Sequence, residues 1–219
     1  MADGTVFLLD VDNTLLDNDA VADDLRRHLT EEFGRERQQR YWDEFEALRA
    51  ELGYADYLGA LQRFRAAYPH DTHLLGMSEW LIEYPFATRL YEGALELVER
   101  LHEQGRPVLL SDGDVVFQPH KIRRSGLWAA FRGDVLVYIH KEQELEDVER
   151  RYPARRYVLI DDKVRLLTAI KEIWGARVTT VFVRQGHYAR DATLLADYPQ
   201  PDVTVERIRD LLDLPLRDL

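Results

Sequence analysis

Three short apolar runs of this chain each end directly in acidic or hydroxyl residues. They are Val6–Leu9 before Asp10, Pro107–Leu110 before Ser111–Asp112, and Tyr157–Ile160 before Asp161–Asp162. A continuous apolar run of this length is typical of a strand that is buried on both faces, as in a parallel sheet. Because ligands of such sheets bind beyond the carboxyl ends of the strands, the three endings predict one common site.

Amphipathic helical patterns alternate with these runs. Apolar residues at helical spacing precede the second run over Ala94–Leu101 and the third run over Leu145–Tyr152. Further elements are predicted as strands at Val135–Ile139 and Val178–Val183, a helix at Val164–Trp174, and a short strand with a closing helix after Asp202. Strands that alternate with helices predict right-handed βαβ units, and hence an α/β fold with a mostly parallel sheet.

The segment between the first and second strands has a different character, because it contains helical patterns only. The predicted helices are Val21–Phe33, Arg37–Leu52, Tyr54–Tyr68 and Leu74–Glu83, with breaks at Gly34, Gly53, Pro69 and Gly76. We therefore expect a core formed by residues 1–16 and 89–219, with an all-helical insertion over residues 17–88.

Charge and cysteine content exclude several classes of protein. The 219 residues include 29 Lys+Arg and 40 Asp+Glu, a formal net charge of −11, and no cysteine. Disulfides, thiolate metal sites and thiol nucleophiles are therefore excluded, and broad contact with nucleic acid is not expected. The start of the chain lacks a signal peptide pattern, and no apolar run approaches the roughly 18 residues of a membrane span. We expect a cytoplasmic protein without membrane partners, and the sequence leaves its oligomeric state open.

Two acidic motifs predict a cation. Asp10 and Asp12 are separated by one residue, so their carboxylates face the same way if the strand continues, and a divalent cation would relieve their repulsion. Asp161–Asp162 offers the hard oxygen ligands that Mg²⁺ prefers. The alternative for the first pair is a solvated turn or a helix cap, and for the second pair the cap of the helix that follows.

The segment Ser111–Asp112–Gly113 is a candidate phosphate site. A hydroxyl beside a glycine-containing turn can present its Oγ–H and backbone N–H groups to a phosphate oxygen. The same residues also form ordinary turns after strands, so this motif alone decides little.

Taken together and in this order, the motifs resemble those of the haloacid dehalogenase-like (HAD) superfamily, in its phosphatase branch. Asp10–Val11–Asp12–Asn13–Thr14 is similar to the DxDxT signature, Ser111 to the hydroxyl of the second motif, a lysine to the third motif and Asp161–Asp162 to the fourth. The resemblance implies a Rossmann-like, mostly parallel three-layer sandwich with a helical cap of the C1 type.

The resemblance also implies the role of each residue. Asp10 would attack phosphorus and form an aspartyl-phosphate, while Asp12 would act as general acid and then as general base. Ser111, with the backbone of Asp112 and Gly113, would bind the phosphoryl group. Mg²⁺ would be held by Asp10, the main-chain carbonyl of Asp12 and Asp161, with Asp162 as a supporting or alternate ligand.

The lysine of the third motif has two candidates. Lys141 follows a predicted strand and lies where the family expects its lysine, so we favour it as the group that neutralises Asp10 and the phosphate. Lys121 lies in the helix after the second motif, where an exposed surface lysine is the simpler expectation. The fourth motif departs from the family pattern, because Val164–Leu167 follows where another acid is common.

Specificity is expected in the insertion, which would close over the site and contact the leaving group. Candidate substrate contacts are Tyr41, Trp42, Tyr57, Arg63 and Arg65, which are equally compatible with the cap's own core or surface. Five histidines show no metal-ligand spacing and are expected in surface or capping roles: His28, His70, His73, His102 and His187.

The sequence thus favours a Mg²⁺-dependent hydrolase of a small phosphomonoester. A 2-haloacid dehalogenase on the same fold would also use Asp10, although dehalogenases of this superfamily lack the acid found at Asp12 and need no metal. A phosphomutase is a further alternative, because the sequence does not separate water from a sugar hydroxyl as the acceptor. A non-catalytic phosphate-binding protein is less favoured, because the motif residues are all present.

Overall fold

The computed structural model describes residues 4–191 and 195–219, which contain one six-stranded sheet. The strands are β1 (Thr5–Leu9), β2 (Arg106–Asp112), β3 (Val135–Tyr138), β4 (Arg156–Asp161), β5 (Val178–Val183) and β6 (Val203–Val205). Their order is β3-β2-β1-β4-β5-β6, and every neighbouring pair is parallel. The α/β fold with a Rossmann-like parallel sheet is therefore confirmed.

Eight α-helices accompany the sheet in the described residues. They are α1 (Asn18–Leu52), α2 (Tyr57–Ala67), α3 (His73–Glu83), α4 (Ala94–His102), α5 (Phe117–Arg124), α6 (Leu127–Ala130), α7 (Leu145–Arg151) and α8 (Val164–Trp174). Both faces of β1 are covered, because Phe7 and Leu9 belong to one apolar cluster while Val6 and Leu8 belong to another. Burial on both faces explains why the strands are continuous apolar runs rather than alternating ones.

Helices α1, α2 and α3 lie between β1 and β2 in the chain, and we call them the inserted helices. The chain leaves the sheet and returns to it at one place: Leu16 forms a bridge with Leu90, Tyr91 N donates to Leu15 O at 3.0 Å, and Asp17 N donates to Arg89 O at 2.8 Å. The entry and exit of the inserted helices are thus paired with each other.

Of the three helix breaks predicted at glycine residues, two are confirmed and one is wrong. Gly34 has φ 78° and ψ 168° inside α1, so the helix is interrupted there as predicted, and Gly53 ends α1 in a left-handed conformation. Gly76 is not a break, because it lies inside α3. The burial of Leu74, Met77 and Leu81 on one face of α3 outweighs the roughly 1 kcal/mol by which a glycine disfavours a helix.

The ends of two predicted elements also differ. Helix α2 starts at Tyr57 rather than at Tyr54, because Asp56 accepts a hydrogen bond from Gly59 N and caps the helix there. The tail contains the predicted strand, β6, but its closing segment is 3₁₀ helix over Ile208–Asp213 and Leu216–Asp218. Pro215 disfavours helical conformation in the preceding residue and separates the two turns.

None of the helices in residues 4–191 and 195–219 combines the length and apolar character that crossing a membrane requires.

Candidate active site

The carboxyl ends of three neighbouring strands bring the predicted acidic residues together. Asp10 follows β1, Ser111 and Asp112 end β2, and Asp161 ends β4. Strand β1 lies between β2 and β4, and Asp10 N donates to Ile160 O at 3.0 Å, so the register of the sheet continues into the site.

Lys141 lies at the centre of this group. Its Nζ donates to Asp10 Oδ1 at 2.7 Å, to Asp161 Oδ2 at 2.6 Å and to Leu110 O at 3.3 Å, and the side chain is fully buried. Burial by itself lowers the pKa of Lys141, but the charges of Asp10 and Asp161 raise it well above its ordinary value. A permanent cation is therefore fixed between two of the site carboxylates.

Asp10, Asp161 and Asp162 form a buried carboxylate cluster. Each offers one oxygen, and these oxygens lie within 4.8 Å of one another. Within the described residues, Asp10 Oδ2 and both carboxylate oxygens of Asp162 have no hydrogen-bond partner. Burial, and then the charge of Asp161, raises the pKa of Asp162 well above its ordinary value. Unpaired buried oxygens are costly, and a divalent cation bound by this cluster would offset that cost.

Asp12 is held by two side chains of α5. Lys121 Nζ lies 2.5 Å from Asp12 Oδ1, and Gln118 Nε2 lies 3.1 Å from Asp12 Oδ2. The expectation that Lys121 is exposed is wrong, since the residue is 1% exposed. Helix α5 turns its Gln118 and Lys121 side towards the site, and sequence spacing alone did not reveal which face of α5 packs inwards.

Gln118 was missed by the sequence analysis. The one signal in the sequence is its spacing of three residues from Lys121, which places both on one face of a helix. Lys163 was also missed: it follows the acidic pair of the fourth motif and lines the cleft described below. Burial lowers the pKa of Lys163, but the charges of Asp10 and Asp162 raise it above its ordinary value.

The second motif is buried and well connected. Ser111 Oγ donates to Asp112 O at 3.2 Å and accepts from Gln118 Nε2 at 2.9 Å. The Asp112 carboxylate accepts from Lys141 N at 2.8 Å, and burial raises its pKa. The amide of Gly113 donates to Tyr138 O at 2.9 Å, so this N–H is engaged with β3 rather than open to a ligand.

A cleft of about 660 Å³ lies between the strand ends and the inserted helices. Asp12, Asp112 and Lys163 line its sheet side. Residues of the inserted helices and their first connection line the opposite side, among them Arg26, Trp42, Phe45, Arg49, Tyr54 and Tyr57.

The candidate substrate contacts separate into two groups. Trp42 and Tyr57 line the cleft, as expected of substrate contacts. Tyr41 is fully buried and donates from its hydroxyl to Tyr57 O, so it belongs to the core of the inserted helices. Arg63 pairs with Glu51 at the surface, and neither Arg63 nor Arg65 lines the cleft.

Histidines take no part in the carboxylate cluster of the described residues. His187 lines the cleft, with Nδ1 2.6 Å from Asp19 Oδ1, and His140 lines it as well. Away from the site, His28 stacks on Trp80, His73 pairs with Asp71, and His102 bonds Ala130 O.

Comparison with solved structures gives several relatives of nearly the same length. A Burkholderia xenovorans LB400 protein named as a haloacid dehalogenase-like hydrolase is 60% identical, with TM-score 0.92 and coverage of 97% of this chain and 99% of that chain. Two others show a shared fold alone. YfnB of Bacillus subtilis, named as a HAD-hydrolase bound to magnesium, is 17% identical with TM-score 0.63 over 99% of this chain and 100% of that chain. An L-2-haloacid dehalogenase of Xanthobacter autotrophicus is 18% identical with TM-score 0.63 over 95% and 97%.

Curated proteins give no match to this chain. The family model of the haloacid dehalogenase-like hydrolases matches residues 5–173, which is most of the sequence. With the parallel sheet and the buried cluster of carboxylates at its edge, this match assigns the chain: it belongs to the haloacid dehalogenase-like hydrolase family.

Proposed function

We propose that this hydrolase cleaves a small phosphorylated metabolite, as a Mg²⁺-dependent phosphomonoesterase that forms an aspartyl-phosphate on Asp10. The observation that carries the proposal is the asymmetry of the Asp10 carboxylate. Its Oδ1 accepts from Lys141, whereas its Oδ2 is buried and has no partner among the described residues.

Asp10 is suited to be the nucleophile of the first step. One oxygen of its carboxylate attacks phosphorus, the bond between phosphorus and the leaving oxygen breaks, and a phosphoryl-Asp10 is formed. Lys141 keeps Oδ1 in place and supplies positive charge beside the transferred group. Water then attacks the same phosphorus, and breaking the Asp10–phosphorus bond returns the free carboxylate and inorganic phosphate.

Asp12 is suited to move the protons of both steps. Its side chain is 24% exposed and lines the cleft, whereas Asp10 and Asp161 are buried. In the first step it gives a proton to the leaving oxygen, and in the second step it takes a proton from the attacking water. The presence of a second carboxylate favours phosphoryl transfer over dehalogenation, in which the halide leaves without a proton.

The phosphoryl oxygens would be bound by Ser111 and Lys141. Gln118 donates to Ser111 Oγ and holds this oxygen in place, and the hydroxyl hydrogen, which donates to Asp112 O in the structure, would turn towards a phosphoryl oxygen. Lys141, which is already fixed beside Asp10, would stabilise the charge of the transition state without having to reorganise.

The residues present fit a magnesium ion. Hard carboxylate oxygens are the ligands Mg²⁺ prefers, and Asp10, Asp161 and Asp162 offer three that lie close together, with oxygens of Asp10 and Asp162 free of other partners among the described residues. These residues, with the main-chain carbonyl of Asp12, would hold the ion. When bound, Mg²⁺ offsets the repulsion between Asp10 and the incoming phosphate. The magnesium-bound YfnB, which shares the fold, supports this proposal.

We also propose that residues 17–88 act as a helical cap over a catalytic core formed by residues 1–16 and 89–219. The aromatic wall of Trp42, Phe45 and Tyr57 faces the sheet side across the cleft, where it can contact the leaving group. Closure of such a segment excludes water from the reacting groups.

The decisive experiment measures phosphate release from an aryl phosphate and from a panel of phosphorylated metabolites, with Mg²⁺ and with EDTA. Wild type is compared with Asp10→Asn, and the exposed Asp213→Asn serves as the control. We expect release that requires Mg²⁺, is lost in Asp10→Asn and is kept in Asp213→Asn. Chloride release from a 2-haloacid without Mg²⁺, in the absence of phosphatase activity, would refute the proposal.

A further inference from the structure

We infer that Gln118 and Lys121 are positioning residues, which hold the Asp12 carboxylate where it protonates the leaving oxygen. This inference rests on the phosphomonoesterase reaction proposed above. It concerns two residues of α5 that lie outside the four motifs of the sequence.

The first argument is the way in which Asp12 is held. Lys121 donates to one carboxylate oxygen at 2.5 Å and Gln118 donates to the other at 3.1 Å. Rotation of the carboxylate about its own axis would break both hydrogen bonds. A group that must deliver a proton to one oxygen atom benefits from such fixation, because misplacement by about 1 Å costs roughly a hundredfold in rate.

The second argument is the orientation of the Gln118 amide. The amide nitrogen of Gln118, rather than its oxygen, faces Asp12 and donates to Asp12 Oδ2. The same nitrogen donates its other hydrogen to Ser111 Oγ at 2.9 Å. One amide group thus sets the position of Asp12 and the direction of the Ser111 hydroxyl together.

The packing around Gln118 leaves the amide little freedom. Gln118 is 4% exposed, and Gly113 approaches it so closely that a Cβ at Gly113 would lie 2.7 Å from Gln118 Cγ. A side chain confined on this scale stays in one rotamer, which is what a positioning residue requires.

Lys121 has a second contact that leads to the inserted helices. Its Nζ lies 3.3 Å from Asn18 Oδ1, at the start of α1, and Asn18 Nδ2 donates to Tyr57 OH at 3.3 Å. Tyr57 itself lines the cleft. The lysine therefore links Asp12 to the wall of the cleft that faces the leaving group.

Misplacement of the Asp12 carboxyl group changes how kcat depends on the leaving group, which a general loss of folding or binding does not. A leaving group that is stable as an anion departs without much help from a proton, whereas a poor leaving group depends on the acid. We therefore expect substitutions of Gln118 and Lys121 to reduce kcat increasingly as the leaving group becomes worse. A loss of folding, phosphate binding or metal affinity lowers all substrates of the series alike.

The test uses substituted phenyl phosphates of similar size, from 4-nitrophenyl phosphate to 4-methoxyphenyl phosphate, with Mg²⁺ present. Gln118→Glu keeps the shape of the side chain and replaces the amide donor by a carboxylate, while Lys121→Met keeps the length and removes the charge. Gln104→Glu, at an exposed position, is the matched control. We expect the two α5 variants to lose about tenfold more kcat on the worst leaving group than on the best, and the control to follow wild type.

A double-mutant cycle adds an independent measurement. If Lys121 acts through Asp12, Lys121→Met has a smaller effect in the Asp12→Asn background than in wild type. Thermal unfolding shows whether each variant is folded. If Lys121→Met does not fold, the phenyl phosphate series with Gln118→Glu still tests the inference.

Equal losses across the phenyl series, or effects that add fully in the cycle, would overturn the inference and leave the phosphomonoesterase proposal standing. Absence of Mg²⁺-dependent phosphate release by folded wild type would overturn the phosphomonoesterase proposal, and this inference with it.

Discussion

Replacing Asp162 by Asn is expected to stabilise the metal-free protein and to reduce the stabilisation that Mg²⁺ provides. Asp162 is 1% exposed, and neither of its carboxylate oxygens has a partner among the described residues. Its neighbour Asp161 adds electrostatic repulsion. The side chain is therefore a source of instability in the absence of a cation.

The magnitude follows from the two unpaired oxygens. A buried acceptor without a donor costs about 1–3 kcal/mol, and the neutral amide of Asn avoids the repulsion and can donate to a neighbouring carboxylate. Without metal, the free energy of unfolding of Asp162→Asn should thus exceed that of wild type by about 1–3 kcal/mol. For a domain of this size, this raises Tm by about 2–4 °C per kcal/mol.

Magnesium narrows the difference between the two proteins. A ligand at roughly one hundred times its Kd stabilises the folded state by about 2.7 kcal/mol, provided that the unfolded chain does not bind it. Wild type should gain this amount, whereas Asp162→Asn, which lacks one carboxylate of the cluster, should gain less. Thermal unfolding in EDTA and in a series of Mg²⁺ concentrations measures both effects.

The same substitution has a pH signature in EDTA. Since the pKa of Asp162 is raised, its contribution to stability is complete below the ordinary carboxyl value of 3.8 and is lost as pH rises through the raised pKa. Wild type should therefore lose more stability than Asp162→Asn as pH rises, and the exposed Asp213→Asn should behave as wild type. A lower Tm of Asp162→Asn than of wild type in EDTA, or equal gains from Mg²⁺, would refute the reasoning.

Two further predictions concern stability away from the metal cluster. Gly186 has φ +72°, and a Cβ there would lie 2.5 Å from Asn13 Cβ, so Gly186→Ala should lower the free energy of unfolding in urea by about 1–3 kcal/mol. The control Gly76→Ala, in α3 with open space around its Cβ, should raise it by about 0.4–1 kcal/mol, and a loss there equal to that at Gly186 would contradict the argument. Hydrogen bonds from Tyr138 and Arg151 lower the pKa of Asp147 to about 2, so its contribution is present above about pH 4 and is lost as pH falls towards 2. In urea unfolding across this pH range, the free energy of unfolding should therefore fall less steeply with decreasing pH in Asp147→Asn than in wild type. The same slope in both proteins would count against these contacts.

The sequence predicted which polar residues meet at the ends of the strands, because the relevant information is local. A strand buried on both faces must be apolar throughout, so its end is visible where Asp10, Ser111 or Asp161 begins. The parallel arrangement then brings such ends to one edge. Lys141 was favoured over Lys121 because it follows a predicted strand at the place where the family has its lysine, and it contacts Asp10.

The parts that sequence reasoning missed depend on which face of a helix packs inwards. Lys121 and Gln118 lie on a short helix of mixed composition, and polar residues on such a helix are usually exposed. Their burial results from partners on other elements, Asp12 and Ser111, and no local pattern encodes those contacts. Gly76 shows the converse, since tertiary packing kept a helix intact across a residue that favours a break.

The central position of β1 has a consequence for how the chain folds during synthesis. This strand is synthesised before the inserted helices, yet it pairs with β2 and β4, which are synthesised after them. Helices form from neighbouring residues and fold quickly, whereas pairing of strands so distant in sequence must wait for a long loop to close. The paired crossings at Leu16 and Leu90 shorten that loop once the inserted helices have formed. We therefore expect the inserted helices to form before β1 and β2 pair, and to bring β2 close to β1.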